Sequence, residues 1–258
     1  MDPATILGVL IAFGAIFLAN ILEGGKPGAM FLFPPMLLVF GGTFGVALAS
    51  GLLQDTLGAV KALKQAFTAK VPSPDASVGQ LVELAEQARR NGLLALEESA
   101  REVDDPFLKQ GVELLVDGTE PHELRDILEA KVDAKRALDK LHIKVFTDMG
   151  GYAPTIGIVG TVLSLVHTLE NLDKPEKLGH MIAAAFLATL WGVLSANCFW
   201  LPFASKLKRL SELEIRQMEM LIEGLMSIQA GSNPRVIEQK LMAFLPPPKA
   251  TPVDKQAA

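Results

Sequence analysis

The sequence predicts an all-α membrane protein with four transmembrane helices, a cytoplasmic helical domain between spans 2 and 3, and a helical C-terminal segment. Four stretches carry no formal charge, and each approaches or exceeds the roughly 20 apolar residues that cross a bilayer. The charged residues are segregated, because most of the 24 Lys and Arg lie in residues 56–148 or after residue 202. No stretch alternates apolar and polar residues as a strand does. The uncharged stretches are Ala4–Leu22, Pro27–Gln54, Met149–Leu169 and Met181–Ser205.

Positive charge predicts the orientation of these spans. The two short connections between spans carry only Lys26, Lys174 and Lys177. By the positive-inside rule, both termini and the large middle segment should therefore face the cytoplasm. The first span lacks a preceding positive segment and a following cleavage site, so we expect a retained helix. The predicted domains are a transmembrane hairpin (1–55), a cytoplasmic helical domain (56–148), spans 3 and 4 (149–205), cytoplasmic C-terminal helices (206–245) and a disordered tail (246–258).

Proline and glycine predict where the helices begin and end. Pro34-Pro35 should start the ordered part of the second span, since proline fits a first helical turn. The glycines and alanines that follow favour close helix packing over flexibility for gating. Val71–Asp75 should be a stiff linker. Helices should end at Asn91-Gly92 and Asp117-Gly118, where glycine adopts the left-handed conformation.

Two long helices should cross from the aqueous part into the membrane. The apolar periodicity of Glu120–Asp148 predicts one helix that continues without a break into the third span. The fourth span should likewise extend through Met226, followed by a last helix over Pro234–Leu245. Another short helix should start after Asp105, which can cap it ahead of Pro106.

Composition excludes several functional classes. A net charge of −5 argues against nucleic acid as a partner. The single cysteine, Cys198, permits no disulfide and no cysteine metal site. The four histidines are dispersed along the chain, and no phosphate-binding loop or nucleophile constellation is present. We therefore expect neither an enzyme nor a permanent metal or cofactor.

The spans contain hydroxyls but no carboxylate, although membrane cation pathways generally use an ionisable group. In the third span Pro154, Gly157, Thr161, Ser164 and Thr168 share one helical face, and in the fourth Thr189, Gly192 and Ser195 do the same. One interpretation is close packing with hydroxyls bonded to their own helix. The other is a weakly polar pore wall, whose oxygens replace part of the water around a cation. Either the protein moves no ions, or a partner supplies the acid.

Several motifs resemble MotA-type flagellar stator subunits, in order along nearly the whole chain. They are Ala-Arg-Arg-Asn-Gly-Leu-Leu-Ala-Leu-Glu at 88–97, Val-Asp-Asp-Pro-Phe-Leu-Lys at 103–109, Tyr-Ala-Pro-Thr-Ile-Gly at 152–157, Ala-Ala-Phe-Leu-Ala-Thr-Leu-Trp-Gly at 184–192, Leu-Pro-Phe-Ala-Ser-Lys-Leu at 201–207 and Val-Ile-Glu-Gln-Lys-Leu at 236–241.

The resemblance implies a stator that converts ion flow into flagellar rotation in the bacterial inner membrane. Stators of this type are rings of five MotA-type chains around two MotB-type chains, and each MotB-type chain supplies an ion-binding aspartate. The ring pushes the rotor protein FliG. Two alternatives stay open at this point. One is an ExbB/TolQ-like energiser of another process, against which the N-terminal hairpin counts, and the other is a structural scaffold without an ion path.

The resemblance also assigns roles to individual residues. Arg89 and Glu97 match a charged pair that contacts the rotor, and their neighbours Arg90 and Glu98 are further candidates. The alternative interpretation is ordinary solvated charge. Pro154 and Pro202 match two membrane prolines tied to torque generation, and Thr189 matches a threonine common to the ion path. Thr161 and Ser164, whose hydroxyls lie on the polar face of the third span, are the other candidates for this path.

Thr161 favours sodium over protons as the transported ion. Proton-driven members of the family commonly carry alanine at this position, whereas sodium-driven members carry threonine after glycine, as in Gly160-Thr161. A dehydrated cation needs several oxygen ligands, and a second hydroxyl opposite Thr189 would add one.

Overall fold

The computed structural model describes residues 4–68 and 74–245, and within them the chain forms nine helices and no strand. Residues 71–73 of the predicted linker and the predicted tail, 246–258, lie outside the described residues. The helices are α1 (Ala4–Leu22), α2 (Phe33–Ala49), α3 (Leu53–Thr68), α4 (Pro74–Asn91), α5 (Leu96–Glu102), α6 (Pro106–Val116), α7 (Pro121–Leu169), α8 (Pro175–Gln229) and α9 (Pro234–Met242).

The predicted helix ends are confirmed where glycine or a capping side chain sets them. Gly92 and Gly118 adopt φ values of 83° and 73°, and they follow the last residues of α4 and α6. The Asp105 carboxylate accepts hydrogen bonds from the backbone N–H groups of Phe107 and Leu108, at 2.8 and 3.1 Å. It thereby satisfies two of the unpaired donors at the start of α6.

The long continuous helices are also confirmed. α7 runs for 49 residues, and α8 runs for 55 residues through a wider π-helical turn at Ala196–Trp200. Three helices (α1, α7 and α8) are long and apolar enough to cross a membrane. α2 is apolar but shorter, because Pro27–Met30 forms a separate turn before it and the helix begins only at Phe33. The count of four spans therefore stays a prediction.

The described residues form two compact units. The first combines residues 4–68 with 137–211 and contains the apolar helices. Two clusters of buried side chains hold it together, one around Val39, Trp191 and Leu194 and the other around Ala47, Phe146 and Met149. The indole N–H of Trp191 donates to the backbone carbonyl of Met30 at 2.7 Å, within this buried region. This bond fixes the turn before α2 to the side of α8.

The second unit combines residues 74–136 with 212–245. Its single large apolar core contains fully buried leucines from α4, α5, α6, α7 and α8, together with Ile237 and Leu241 of α9. Glycines allow close approach here, since a Cβ on Gly224 would lie 2.5 Å from the Leu81 side chain. The helix α4, which carries Arg89 and Arg90, is therefore packed against both α8 and α9.

Candidate functional site

Within the first unit, α7 and α8 approach each other so closely that their backbones touch. A Cβ added to Gly157 would lie 2.8 Å from the carbonyl oxygen of Ala188, and one added to Gly192 would lie 2.7 Å from that of Ala153. Real Cβ atoms essentially never come this close to another heavy atom. Only glycine fits both positions, and small residues are what such contacts between membrane helices use. The two helices are therefore fixed in one register.

This register brings the hydroxyls of Thr161 and Thr189 into direct contact. The Thr161 hydroxyl oxygen also lies 3.0 Å from the carbonyl oxygen of Ala185 and 3.2 Å from that of Gly157. A threonine hydroxyl has one proton to donate and two lone pairs that accept. Three oxygens, those of Thr189, Ala185 and Gly157, thus lie around the Thr161 hydroxyl, whose single proton can be donated to only one of them at a time.

The other residues of the predicted polar face lie on the same side of α7. Ser164 is half-buried, and its carbonyl accepts a hydrogen bond from the buried Thr168 hydroxyl at 2.7 Å. Ser164 and Thr168 are not among the oxygens that meet at Thr161. The opposite side of α7 is apolar and exposed, with Ile158, Val159, Val162, Leu163 and Val166.

Two prolines interrupt hydrogen bonding near this contact. Pro154 lies inside α7, and a Cβ on Gly192 of α8 would come within 3.3 Å of its Cα. Pro202 lies in α8 two residues after Trp200, the last residue of the π-helical turn. Each proline removes the N–H that would bond the carbonyl four residues earlier, at Gly150 and Cys198. The same stretch places Gly150 against the side chain of Leu201, where a Cβ would come within 2.5 Å.

No acid accompanies these oxygens. Met149–Leu169 and Met181–Ser205 contain no Asp or Glu. Across the part of the chain that the structure describes, no group of three or more His, Cys, Asp or Glu side chains could hold a metal ion. The helix pair can therefore offer a cation hydroxyl and carbonyl oxygens, but no negative charge of its own.

The second candidate site is the hairpin of α4 and α5, in the second unit. Arg89 and Arg90 lie in the last turn of α4, and Glu97 and Glu98 lie in the first turn of α5. All four side chains are exposed. Arg90 pairs with Glu86 at 3.6 Å, and Glu97 pairs with Arg101 at 3.3 Å, whereas Arg89 and Glu98 form no ion pair with the described residues. The structure places these four predicted residues on the two helix ends that flank one short turn.

Some features of the first unit were not predicted from the sequence. The bond from Trp191 to Met30 joins residues 161 positions apart, and no sequence spacing indicates it. Rings of five phenylalanines and both tryptophans also touch in succession, among them Phe13, Phe31, Phe40 and Phe199. Such contacts depend on how helices are placed in three dimensions, although the tryptophans themselves could have been singled out as residues that need a partner when buried.

Comparisons with known proteins agree with this arrangement. The MotA/TolQ/ExbB proton channel family matches residues 99–220. The chain is 36% identical to Motility protein A of Bacillus subtilis over 95% of its own length and 92% of that protein, and 36% identical to the chemotaxis protein PomA of Vibrio alginolyticus over 95% and 96%.

Solved structures show the same fold. The chain superposes on the C. jejuni MotAB structure with a TM-score of 0.92 at 32% identity, covering 97% of this chain and 98% of that one. For the flagellar MotAB stator complex of Bacillus subtilis the TM-score is 0.88 at 36% identity, with 95% and 96% covered. This chain therefore belongs to the MotA family of flagellar motor stator subunits, within the MotA/TolQ/ExbB group.

Proposed function

We propose that this chain forms a cation path together with a MotB-type partner in the bacterial inner membrane, and that ion flow through it drives flagellar rotation. The observation that carries the proposal is the meeting of the Thr161 and Thr189 hydroxyls with the Ala185 carbonyl. Oxygens gathered between two apolar helices can replace part of the water around an ion. A purely structural contact would need only one acceptor for each hydroxyl.

The partner supplies the negative charge. A cation in hydrocarbon needs a compensating acid, and neither α7 nor α8 carries one between residues 149–169 or 181–205. The two solved relatives are complexes of MotA with MotB. By the resemblance, the aspartate lies on a membrane helix of each of two MotB-type chains, and five copies of this chain surround them.

Sodium is the proposed ion. A proton needs only a carboxylate and a chain of waters, whereas a dehydrated metal cation needs several oxygens at once. The contact between Thr161 and Thr189 provides two hydroxyl oxygens beside two carbonyl oxygens. Ser164, half-buried one turn further along α7, adds a hydroxyl on the same face of the path.

Rotation then reaches the rotor through the second unit. α7 and α8 each contribute residues to both compact units, so the proposed route for the motion is along these two helices. Pro154 and Pro202 interrupt hydrogen bonding in these helices, which makes them the proposed points of bending. Arg89, Arg90, Glu97 and Glu98 contact FliG, with both termini and this unit in the cytoplasm.

Two other functions predict different behaviour. An ExbB/TolQ-like energiser would work without a flagellum, but the relatives named above match along 95% of this chain, including the N-terminal hairpin, and are motility or chemotaxis proteins. A scaffold without an ion path would not need the Thr161 hydroxyl for anything except packing.

Removing one hydroxyl tests the ion path. Thr161→Ala deletes an oxygen at the helix contact and leaves a smaller side chain that still fits. Loss of one ligand in a buried site costs on the order of 1–3 kcal/mol, which corresponds to a roughly fivefold to 150-fold weaker affinity for sodium. Torque would be measured on tethered cells across a sodium titration at fixed pH. Thr155→Ala is the matched control. Thr155 is exposed on the same helix, and its hydroxyl donates to the Tyr152 carbonyl within that helix.

The possible outcomes distinguish the identity of the ion from the existence of an ion path. If torque follows pH and does not respond to sodium in the unmutated motor or in either variant, sodium is not the transported ion and Thr161 is a packing residue. Motility that never depends on either ion gradient would contradict the ion path itself. Native mass spectrometry of the purified complex tests the ring, and only monomers or dimers of this chain would contradict five copies.

A further inference from the structure

Leu94 is the most exposed large apolar side chain of the second unit. Its exposed fraction is 74%, whereas Leu93 packs against the core and Leu96 is fully buried. It lies on the turn between α4 and α5, with Arg89 and Arg90 before it in sequence and Glu97 and Glu98 after it. The family resemblance accounts for the charges on this turn but leaves Leu94 without a role.

The turn that presents Leu94 is fixed. Gly92, at φ 83°, donates its N–H to the Ala88 carbonyl at 2.9 Å, and its own carbonyl accepts from the N–H of Ala95 at 3.2 Å. Across the hairpin, the Ser99 hydroxyl donates to the Gln87 side chain at 2.5 Å. A loop whose backbone is held in place before binding loses little conformational entropy on contact, which favours association.

An open groove of about 550 Å³ lies beside Leu94. Leu94 and Ala95 are the apolar residues of its lining, and the charged ones are Glu97, Glu98 and Arg101. Glu98 has no ion pair with the described residues, and the exposed pair of Glu97 with Arg101 is weak. The groove thus combines an apolar side chain with the carboxylate of Glu98, while Glu97 is paired with Arg101.

We propose that Leu94 is the apolar anchor of the rotor contact and binds a segment of FliG that carries an apolar side chain next to a basic one. This inference rests on the proposed function. Interfaces commonly place an apolar contact inside a polar rim, and charge on the rim mainly sets specificity and on-rate. The basic group of the rotor segment meets Glu98, and an acidic group beyond it meets Arg89. An anionic lipid surface fits poorly, because it offers no cation to the Glu98 carboxylate.

The experiment measures binding of purified FliG to the complete stator complex in nanodiscs. Leu94→Ser should weaken binding about tenfold, the equivalent of about 1.4 kcal/mol, because it removes most of the apolar area. Leu94→Met, which conserves volume and apolarity, should stay within about twofold. Met242→Ser is the matched control, since Met242 is a 49% exposed apolar residue of the same unit. The penalty of Leu94→Ser should persist at high salt, whereas that of Glu98→Lys should shrink.

The outcomes distinguish the anchor from the proposed function. If Glu98→Lys and Arg89→Glu weaken binding but Leu94→Ser does not, the anchor is wrong and the rotor contact stands. If none of the three variants weakens binding, the rotor contact itself fails at this turn. If Leu94→Ser instead lowers the number of copies seen by native mass spectrometry, Leu94 is a contact between copies of this chain, and the proposal is overturned.

Discussion

At the contact between α7 and α8, functional side chains are placed by backbone atoms that touch, whereas on the turn between α4 and α5 they project from a surface. Gly157 and Gly192 leave no room for a Cβ, and Thr161 and Thr189 meet because of that approach. Arg89 and Glu98 extend freely, and the buried core beneath them keeps their helices in place. The first site should therefore be sensitive to volume, and the second to charge and to the support behind it.

The difference follows from the two surroundings. Polar groups in an apolar region must be satisfied inside the protein, so the hydroxyls bond to carbonyls of their own and the neighbouring helix. Charges on an aqueous surface are hydrated, and an exposed ion pair contributes about 0–1 kcal/mol. An increase in volume at the helix contact therefore acts through packing, and a change of charge on the turn acts through attraction to a partner.

The largest loss of stability should come from a substitution in the core that holds the hairpin of α4 and α5 in place. Ile237 of α9 is fully buried in the core that holds α4. Ile237→Ala should lower the free energy of unfolding of the second unit by about 2–5 kcal/mol, measured by chemical denaturation, and should increase hydrogen exchange in α4. Val236→Ala, at a 45% exposed neighbouring position, is the control. Unchanged exchange in α4 would show that α9 does not support it.

The second-largest effect should come from added side-chain volume at the contact between α7 and α8. Gly192→Ala adds a methyl group 2.7 Å from the Ala153 carbonyl oxygen and 3.0 Å from the Gly157 Cα, where only backbone could move. We expect a loss of about 1–3 kcal/mol in stability and loss of motility, read by thermal melting in detergent and by swimming assays. Gly179→Ala on the same helix meets nothing within 4 Å and should be neutral or slightly stabilising. Similar results for both variants would contradict the tight contact.

A smaller effect should follow charge reversal on the turn. Arg89→Glu leaves the fold intact, because the side chain is exposed. Each exposed charge contact contributes up to about 1 kcal/mol, or roughly fivefold in affinity. Motility should fall at normal membrane abundance, and a matching reversal on FliG should restore it. Full torque without any change on FliG would leave Arg89 as ordinary surface charge.

The smallest effect should come from the ion pair of Glu97 with Arg101. Both side chains are more than two-thirds exposed, at 68% and 77%. Arg101→Ala should change the free energy of unfolding by less than about 1 kcal/mol. It should leave FliG binding intact or slightly stronger, since Glu97 is then free for a partner. A large loss of stability would mean that this surface ion pair, and not only the buried core, holds the hairpin in place.

Most of the helices could be predicted from the sequence because local physics sets them. Glycine after α4 and α6, the capping carboxylate of Asp105, and the apolar periodicity of α7 and α8 all act within a few residues of where they stand. The start of α2 is confirmed too, since the helix begins at Phe33 with Pro34 and Pro35 in its first turn. What the uncharged stretch did not reveal is the separate turn at Pro27–Met30 before it. Absence of charge marks what could lie in a membrane, but it does not distinguish a turn from a helix.

By itself the sequence determined the helices, the uncharged spans without a carboxylate and the hydroxyl-bearing faces, since periodicity and composition are properties of the chain alone. Only the tertiary structure decided which hydroxyls meet. Thr161, Ser164 and Thr168 are equivalent by spacing along α7, yet only Thr161 contacts Thr189, because the approach of Gly157 and Gly192 fixes the register of the two helices. It likewise decided that Leu93 is packed inside and Leu94 is exposed, a distinction between adjacent identical residues that depends on where the core lies.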